Sequence, residues 1–222
     1  MCEFAFNKCK YLKKIEMPDS VNEIQSGAFM QCQSITNIVL PPLITRIENI
    51  TFVKCRNLKS ILIPPSVTFI GMRAFEDCLS LTHVNIPPSV NEIQDSVFNG
   101  CCSLTHIDIP SSVTKIGKSC FRDCISLIEF SIPPSVNSIS DFCFKGCSSL
   151  VKILIHSFVV SIGRDAFCDC VSHEEIKIPS SVKSIKKNIL KGCHNLKHVT
   201  VPSFVELSVI GVLPGVNITR YK

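Results

Sequence analysis

The most constraining feature of the sequence is a cysteine that returns every 23 residues. Nine cysteines keep this spacing without a slip, and they are Cys9, Cys32, Cys55, Cys78, Cys101, Cys124, Cys147, Cys170 and Cys193. A fixed period of this length indicates a solenoid, in which each coil buries its apolar side against its neighbours. The sequence therefore predicts one domain over residues 1–222, with regular repeats at about 2–205 and an irregular end or cap at 206–222.

Other columns repeat in phase with the cysteines. Three residues before them stand Phe6, Phe29, Phe52, Phe75, Phe98, Phe121, Phe144 and Phe167, and then Leu190 in the ninth repeat. Polar and apolar residues alternate in segments such as 59–63 and 105–109, which predicts one short strand per coil. The Ser-Val-x-x-Ile stretch predicts a second, weaker extended segment, and Ala-Phe-x-x-Cys predicts a single helical or 3₁₀ turn. The phenylalanines are expected to stack as a buried spine.

The spacing of Leu81, Val84 and Ile86 matches the L-x-x-L-x-L core of leucine-rich repeats. With its Pro-x-Ser-Val, Ile-Gly and Ala-Phe-x-x-Cys segments, the chain resembles the BspA-type branch of that superfamily. The resemblance implies an α/β leucine-rich-repeat solenoid of about nine coils with a parallel β-sheet on its concave face. Short extended segments and 3₁₀ or helical turns would form the other sides. It also implies a binding or adhesion scaffold, and the family pattern contains no catalytic residues.

The fourteen cysteines suggest structural thiols rather than a disulfide or metal framework. Ladder cysteines should point in parallel from adjacent coils, which is poor disulfide geometry, and each can donate weakly to a loop carbonyl. Cys2, Cys102 and Cys168 fall outside the apolar columns and are predicted to be the more reactive thiols. Gly71, Gly117 and Gly163 share a column and are predicted to adopt positive φ.

No targeting signal is recognised in the sequence, which favours a cytoplasmic protein. The first residues show no basic segment followed by an apolar one, and no run approaches 18 apolar residues. We therefore expect no membrane insertion and a reducing compartment in which the thiols persist. The alternative is a protein that reaches the cell surface by an unconventional route.

A partner surface is predicted on the columns five and seven residues after each cysteine, which should point outward from the strands. The candidate partner-binding residues are Val39, Leu62, His83, Asn85, His106, Asp108 and Glu129. An exposed apolar pair with a polar rim is typical of a protein-binding hot spot, although a solvated face with incidental apolar residues remains the alternative. A metal held by the two histidines and Asp108 would want a further firm ligand, so no metal or cofactor is predicted.

Charge is divided unevenly along the chain. Residues 1–111 carry a net charge of −1 and residues 112–222 carry +6. The excess gathers in Lys177, Lys183, Lys186, Lys187, Lys191 and Lys197. This basic cluster could attract an acidic protein, or it could be a solvated end; nucleic acid is disfavoured, since neither exposed aromatic residues nor a groove-entering helix is predicted.

The sequence predicts a non-enzymatic interaction scaffold that binds a protein partner on the concave face. An adhesin-like cell-surface protein that binds host or matrix proteins is the alternative. Phe4 and Phe6 lie near the start without a polar capping segment, so end-to-end self-association or a longer array is also expected.

Overall fold

The computed structural model describes residues 1–221 as a parallel-stranded solenoid of about eight turns. Its elements in chain order are β1 (Asn37–Val39), β2 (Arg46–Ile47), β3 (Ser60–Leu62), β4 (Phe69–Ile70), β5 (His83–Asn85), β6 (Glu92–Ile93), β7 (Lys115–Ile116), β8 (Glu129–Ser131), β9 (Ser138–Ile139), β10 (Lys152–Leu154), β11 (Ser161–Ile162), β12 (Glu175–Lys177), β13 (Ser184–Ile185), β14 (His198–Pro202), α1 (Leu207–Ile210) and β15 (Asn217–Tyr221). Three-residue and two-residue strands alternate along most of the chain and belong to different sheets, so they form separate sides of each coil.

The three-residue strands follow from the period-two pattern. In each of them a buried central residue stands between two exposed ones. Their register shifts by one repeat, so that Ile38, Ile61 and Val84 are partners across β1, β3 and β5. The predicted strand at 105–109 is not formed, and the sheet is also interrupted between β10 and β12. The first coil forms neither predicted strand, since β1 begins at Asn37, and both extended segments are confirmed in most of the later coils.

The phenylalanine spine is confirmed. The rings from Phe6 to Phe167 stack one above another with centroids 5.5–5.7 Å apart and nearly parallel planes. From Phe29 onward every ring of the spine is fully buried. Burial of each ring contributes about 1.5–3 kcal/mol to folding. Each ring of the stack therefore stabilises the coils on both sides of it.

The ladder thiols are hydrogen-bond donors inside the core. From Cys32 to Cys193, each Sγ lies 3.0–3.3 Å from the carbonyl oxygen of the spine phenylalanine in the preceding coil. The same oxygen accepts a main-chain N–H within its own coil, as Phe52 does from Cys55. All fourteen cysteines are free. Cysteine fits this column because its side chain is small, is apolar enough for the core and still donates a weak hydrogen bond.

The segment around each spine phenylalanine is not the helical or 3₁₀ turn that the sequence predicts. Ile50, Phe52 and Lys54 donate their N–H groups to carbonyl oxygens of the next coil, while Cys55 closes a turn onto Phe52. Ile50 and Lys54 also have positive φ, at 54° and 60°. A helix needs negative φ at every residue and hydrogen bonds within its own turn, so the bonds between coils exclude it.

The prediction of positive φ at Gly71, Gly117 and Gly163 is wrong. Their backbone is ordinary, but a Cβ on Gly71 would lie 2.6 Å from the main-chain nitrogen of Asn49 in the preceding coil. The Oδ1 atoms of Asn49, Asp95 and Asp141 each accept the N–H of the residue after one of these glycines, at 2.7–2.8 Å. Glycine is required here by the close approach of two coils.

A second alternation lies one residue before the ladder cysteines. There Asp77, Asp123 and Asp169 alternate with Gly100, Gly146 and Gly192. These glycines do have positive φ, and a Cβ on each would lie 2.2–2.5 Å from the Oδ1 of the aspartate in the preceding coil. Both alternations recur every 46 residues, so these two columns repeat over a pair of coils while the spine and the thiols repeat in each coil.

The C-terminal segment folds against the last coils. α1 is followed by β15, which extends the sheet by pairing in parallel with β14. The Arg220 guanidinium donates to the carbonyl oxygens of Ser203 and Val205, and the Tyr221 hydroxyl donates to that of Ile178. Lys222 lies outside the described residues. Within residues 1–221, no helix has both the length and the apolar character needed to cross a bilayer.

Most thiols are shielded from reagents. Cys2 is exposed and Cys9 and Cys102 are partly exposed. The prediction of a reactive Cys168 is wrong, because this residue is 3% exposed, its Sγ donates to Asp169, and burial raises its pKa to about 11.

We predict that iodoacetamide labels the native protein at Cys2 and leaves the internal ladder unmodified. Burial raises the pKa of Cys32 to about 11 and of Cys193 to about 12, so that at pH 8 about one thiol in a thousand or fewer is thiolate. Mass spectrometry of peptides from native and urea-unfolded samples measures the difference. Fast labelling of Cys78 or Cys101 in the native sample would contradict the prediction.

A histidine stands in one of the apolar core columns. His173 replaces the leucine of its column, is 1% exposed, and has no hydrogen-bond partner for Nε2, while Nδ1 lies 3.3 Å from the carbonyl oxygen of Leu150. Burial lowers the pKa of His173 below its ordinary value of 6.5. The unfolded chain therefore binds more protons than the folded one below about pH 6.5, and the free energy of unfolding falls as the pH falls.

We predict that His173→Leu raises the free energy of unfolding by about 1–3 kcal/mol, because it removes an unpaired buried polar atom. The variant should also lose stability less steeply than the wild type between pH 7 and pH 5. Urea denaturation at several pH values measures both effects, with His194→Gln at an exposed position as the control. Equal pH slopes for wild type and His173→Leu would refute the assignment.

Candidate functional site

The outward residues of the three-residue strands, together with those of segment 105–109, form a surface that we call the strand face. Val39 and Leu62 are 81% and 72% exposed there. They are register partners in β1 and β3, and Asn85 of β5 continues the same row. His83 lies beside Ser60 in the neighbouring row. The structure thus brings together four of the seven predicted partner-binding residues around an exposed apolar pair.

The other three predicted residues line a groove where the sheet is interrupted. This acidic groove has a volume of about 430 Å³ and is lined by His106, Asp108 and Glu129, with Lys152 and Leu154 on its far side. His106 Nε2 lies 3.0 Å from Asp108 Oδ1, and both side chains are largely exposed. Within residues 1–221, no three His, Cys, Asp or Glu side chains are grouped so that they could hold a metal ion.

A second groove lies at the other interruption of the sheet, between β10 and β12. This mixed groove has a volume of about 560 Å³. Its charged lining residues are Lys152, Glu174, Glu175, Lys177 and Lys197. Lys197 Nζ is 2.9 Å from Glu174 Oε2. Since Lys152 and Leu154 line both grooves, β10 forms a ridge between them.

A second set of exposed apolar residues, not predicted from the sequence, lies on this side of the molecule. Leu154 is 61% exposed on the ridge, and Ile128 and Val151 are 52% and 49% exposed in adjacent coils. The N–H of Val151 donates to the carbonyl oxygen of Ile128, which places these two residues next to each other. Leu154 occupies the same column as Leu62, and that shared column is the signal that could have revealed it.

The six lysines of the basic cluster do not share one surface. Lys177 and Lys197 line the mixed groove on the strand face. Lys183 and Lys186 flank β13 on the side of the two-residue strands, with Lys187 next in the chain, and Lys191 lies near the last ladder cysteine. Lys186 Nζ lies 3.0 Å from Asp141 Oδ1, so with the Lys197–Glu174 pair two of the six lysines are paired with an acid. A ligand for this cluster remains a prediction.

Comparison with known families identifies the repeat. The model of the BspA type leucine rich repeat region matches residues 1–104 and 91–211, in six copies. The two ranges together span nearly all of the solenoid, and they contain the columns of phenylalanine, cysteine and strand residues described above.

Solved structures of bacterial proteins share this fold. The leucine-rich-repeat protein TpLRR of T. pallidum is 30% identical, with 79% of this chain and 72% of that chain covered and a TM-score of 0.61. A leucine-rich cell-surface protein of Faecalibacterium prausnitzii is 24% identical, with 99% and 76% covered and a TM-score of 0.55, and it supports the fold alone. No curated protein matches the chain significantly. The family match and the likeness to TpLRR show that the chain belongs to the BspA-type leucine-rich-repeat family.

Proposed function

We propose that the chain is a non-enzymatic scaffold that binds a protein partner on its strand face, which we take to be the concave face of a solenoid of about nine coils. The observation that carries the proposal is the exposed pair of Val39 and Leu62, held side by side on β1 and β3. Apolar side chains fully in water favour association, and a polar rim such as His83 and Asn85 is typical of a binding hot spot.

The rest of the strand face supports a partner of extended shape. The exposed ridge residue Leu154 lies four coils beyond Leu62 and is flanked by the acidic and mixed grooves. Inward positions are apolar in nearly every coil, whereas outward positions carry charged, polar and apolar side chains. A partner that spans several coils would therefore meet an apolar contact at each end and ionic groups between them.

A role in catalysis is not favoured by the polar groups of this face. The His106 and Asp108 side chains are 54% and 90% exposed, so both are well hydrated. General bases and nucleophiles are activated in sites that exclude water and hold their partners in place. The polar groups of the strand face are therefore better suited to the rim of a protein-binding surface than to an active site.

We predict that a Val39→Glu, Leu62→Glu double variant weakens capture of the natural partner by about 30-fold or more, because truncating or charging a hot spot removes about 2 kcal/mol or more. Affinity capture with the wild type followed by mass spectrometry identifies the partner, and calorimetry then measures its affinity for each variant. Thermal unfolding confirms that the variants fold, since both side chains lie outside the core.

The matched control is Leu43→Glu. Leu43 is 57% exposed but lies near Arg46 and Glu48 on the side of β2, away from the strand face. It should bind the partner as the wild type does. If the double variant recovers the same partner with the same affinity as this control, the strand face is not the binding surface.

We further propose that this scaffold acts in the cytoplasm. Its fourteen free cysteines are consistent with a reducing compartment. The competing proposal is an adhesin-like protein displayed on the cell surface, where it would bind host or matrix proteins. We predict that protease added to intact cells leaves the chain undigested and that lysis exposes it. Digestion on intact cells would favour the adhesin.

A further inference from the structure

One surface column carries serine in most coils and phenylalanine in two of them. Its members Ser66, Ser89, Ser112, Ser135 and Ser181 each donate a hydroxyl to a main-chain carbonyl of the preceding coil, at 2.5–2.8 Å. Phe158 and Phe204 stand at the same column and cannot make this bond. Their side chains are 63% and 55% exposed, so the lost hydrogen bonds are not offset by burial.

These two rings belong to a larger apolar patch. We define the apolar patch as Phe158, Val160, Phe204 and Val209, all of them at least 40% exposed. It lies on the side of the two-residue strands β11 and β13, and therefore on a different side of the coil from the strand face. Phe158 and Phe204 are two coils apart, with the small Ser181 between them.

Lysines surround the apolar patch. Lys183 lines one surface depression together with Phe204 and Val209, and its N–H donates to the carbonyl oxygen of Val160. Lys187 precedes Asn188, whose N–H donates to Val209. Among residues 1–221, Lys183 and Lys187 form no salt bridge. Glu206 is the acid in the depression, and Asp141 already pairs with Lys186.

We propose that the apolar patch and its lysines dock the solenoid onto an anionic lipid surface. Exposed aromatic and aliphatic side chains enter the interfacial region of a bilayer, and neighbouring lysines are attracted to acidic headgroups. A lipid surface accepts protruding rings without a matching cavity, whereas a protein would have to offer a pocket for each. Docking by this side leaves the strand face open to its own partner.

The chain contains an internal control for this proposal. Leu43 stands in the same column as Phe158 and Phe204 and is 57% exposed. Its surroundings are different, because the depression it lines contains Glu23 and Glu48, with Arg46 paired to Glu48 at about 2.5 Å. Leu43 thus supplies an exposed apolar side chain in the same backbone setting without a group of free cations.

The test is sedimentation with vesicles of phosphatidylcholine, with and without phosphatidylserine. The wild type should bind the anionic vesicles and not the neutral ones. Phe158→Ser with Phe204→Ser restores the usual residue of the column, so this variant should fold at least as stably as the wild type, as measured by thermal unfolding. Its partition onto anionic vesicles should fall by about tenfold or more, while that of Leu43→Ser should not change.

A second variant separates lipid docking from a general affinity for polyanions. Lys183→Gln with Lys187→Gln should also weaken vesicle binding, and the effect should diminish as salt is raised. The proposal is overturned if the wild type does not distinguish anionic from neutral vesicles. It is equally overturned if the phenylalanine variant binds as well as the wild type while polyglutamate displaces both, since that result indicates a surface for acidic proteins.

Discussion

The carbonyl oxygen of each spine phenylalanine holds one coil to the next. It accepts an N–H from the cysteine of its own coil and an S–H from the cysteine of the following coil, in the same environment where the rings stack at 5.5–5.7 Å. A change in coil length would break the hydrogen bond from the thiol to the carbonyl oxygen and separate the stacked phenylalanine rings. A shift of one residue would also turn the buried strand residues toward solvent. This contact explains why the spacing of 23 residues never slips.

Because the interior is so strictly repeated, the surface carries what distinguishes one coil from another. Apolar side chains remain exposed in two separate places, around Leu62 on the strand face and around Phe204 on the side of the short strands. Neither place is required by the fold, since other coils have polar residues in the same columns. Because these two places lie on different sides of the coil, the scaffold would be able to bind a protein on the strand face while its apolar patch contacts a lipid surface.

Much of the fold could be predicted from the sequence, because stacked identical contacts impose identical residues. The period, the spine, the buried thiols and both extended segments were readable in this way. The alternation of Asn49, Asp95 and Asp141 with glycines was equally visible, but its cause was not, since only the structure shows how closely those coils approach. The turn around Phe52 could not be deduced, because local i to i+3 bonds suggest a helix until the bonds to the next coil are known.

The candidate site shows the same division. The sequence by itself determined which columns face outward and that Val39 and Leu62 form an exposed apolar pair, because strand alternation and a constant register leave no other arrangement. Only the tertiary structure decided that the sheet is interrupted at 105–109, that two grooves open on either side of β10, and that the basic cluster is divided among several surfaces. These features depend on how successive coils are positioned in space. The repeat pattern specifies the contacts that every coil shares, but it does not specify where two neighbouring strands fail to pair.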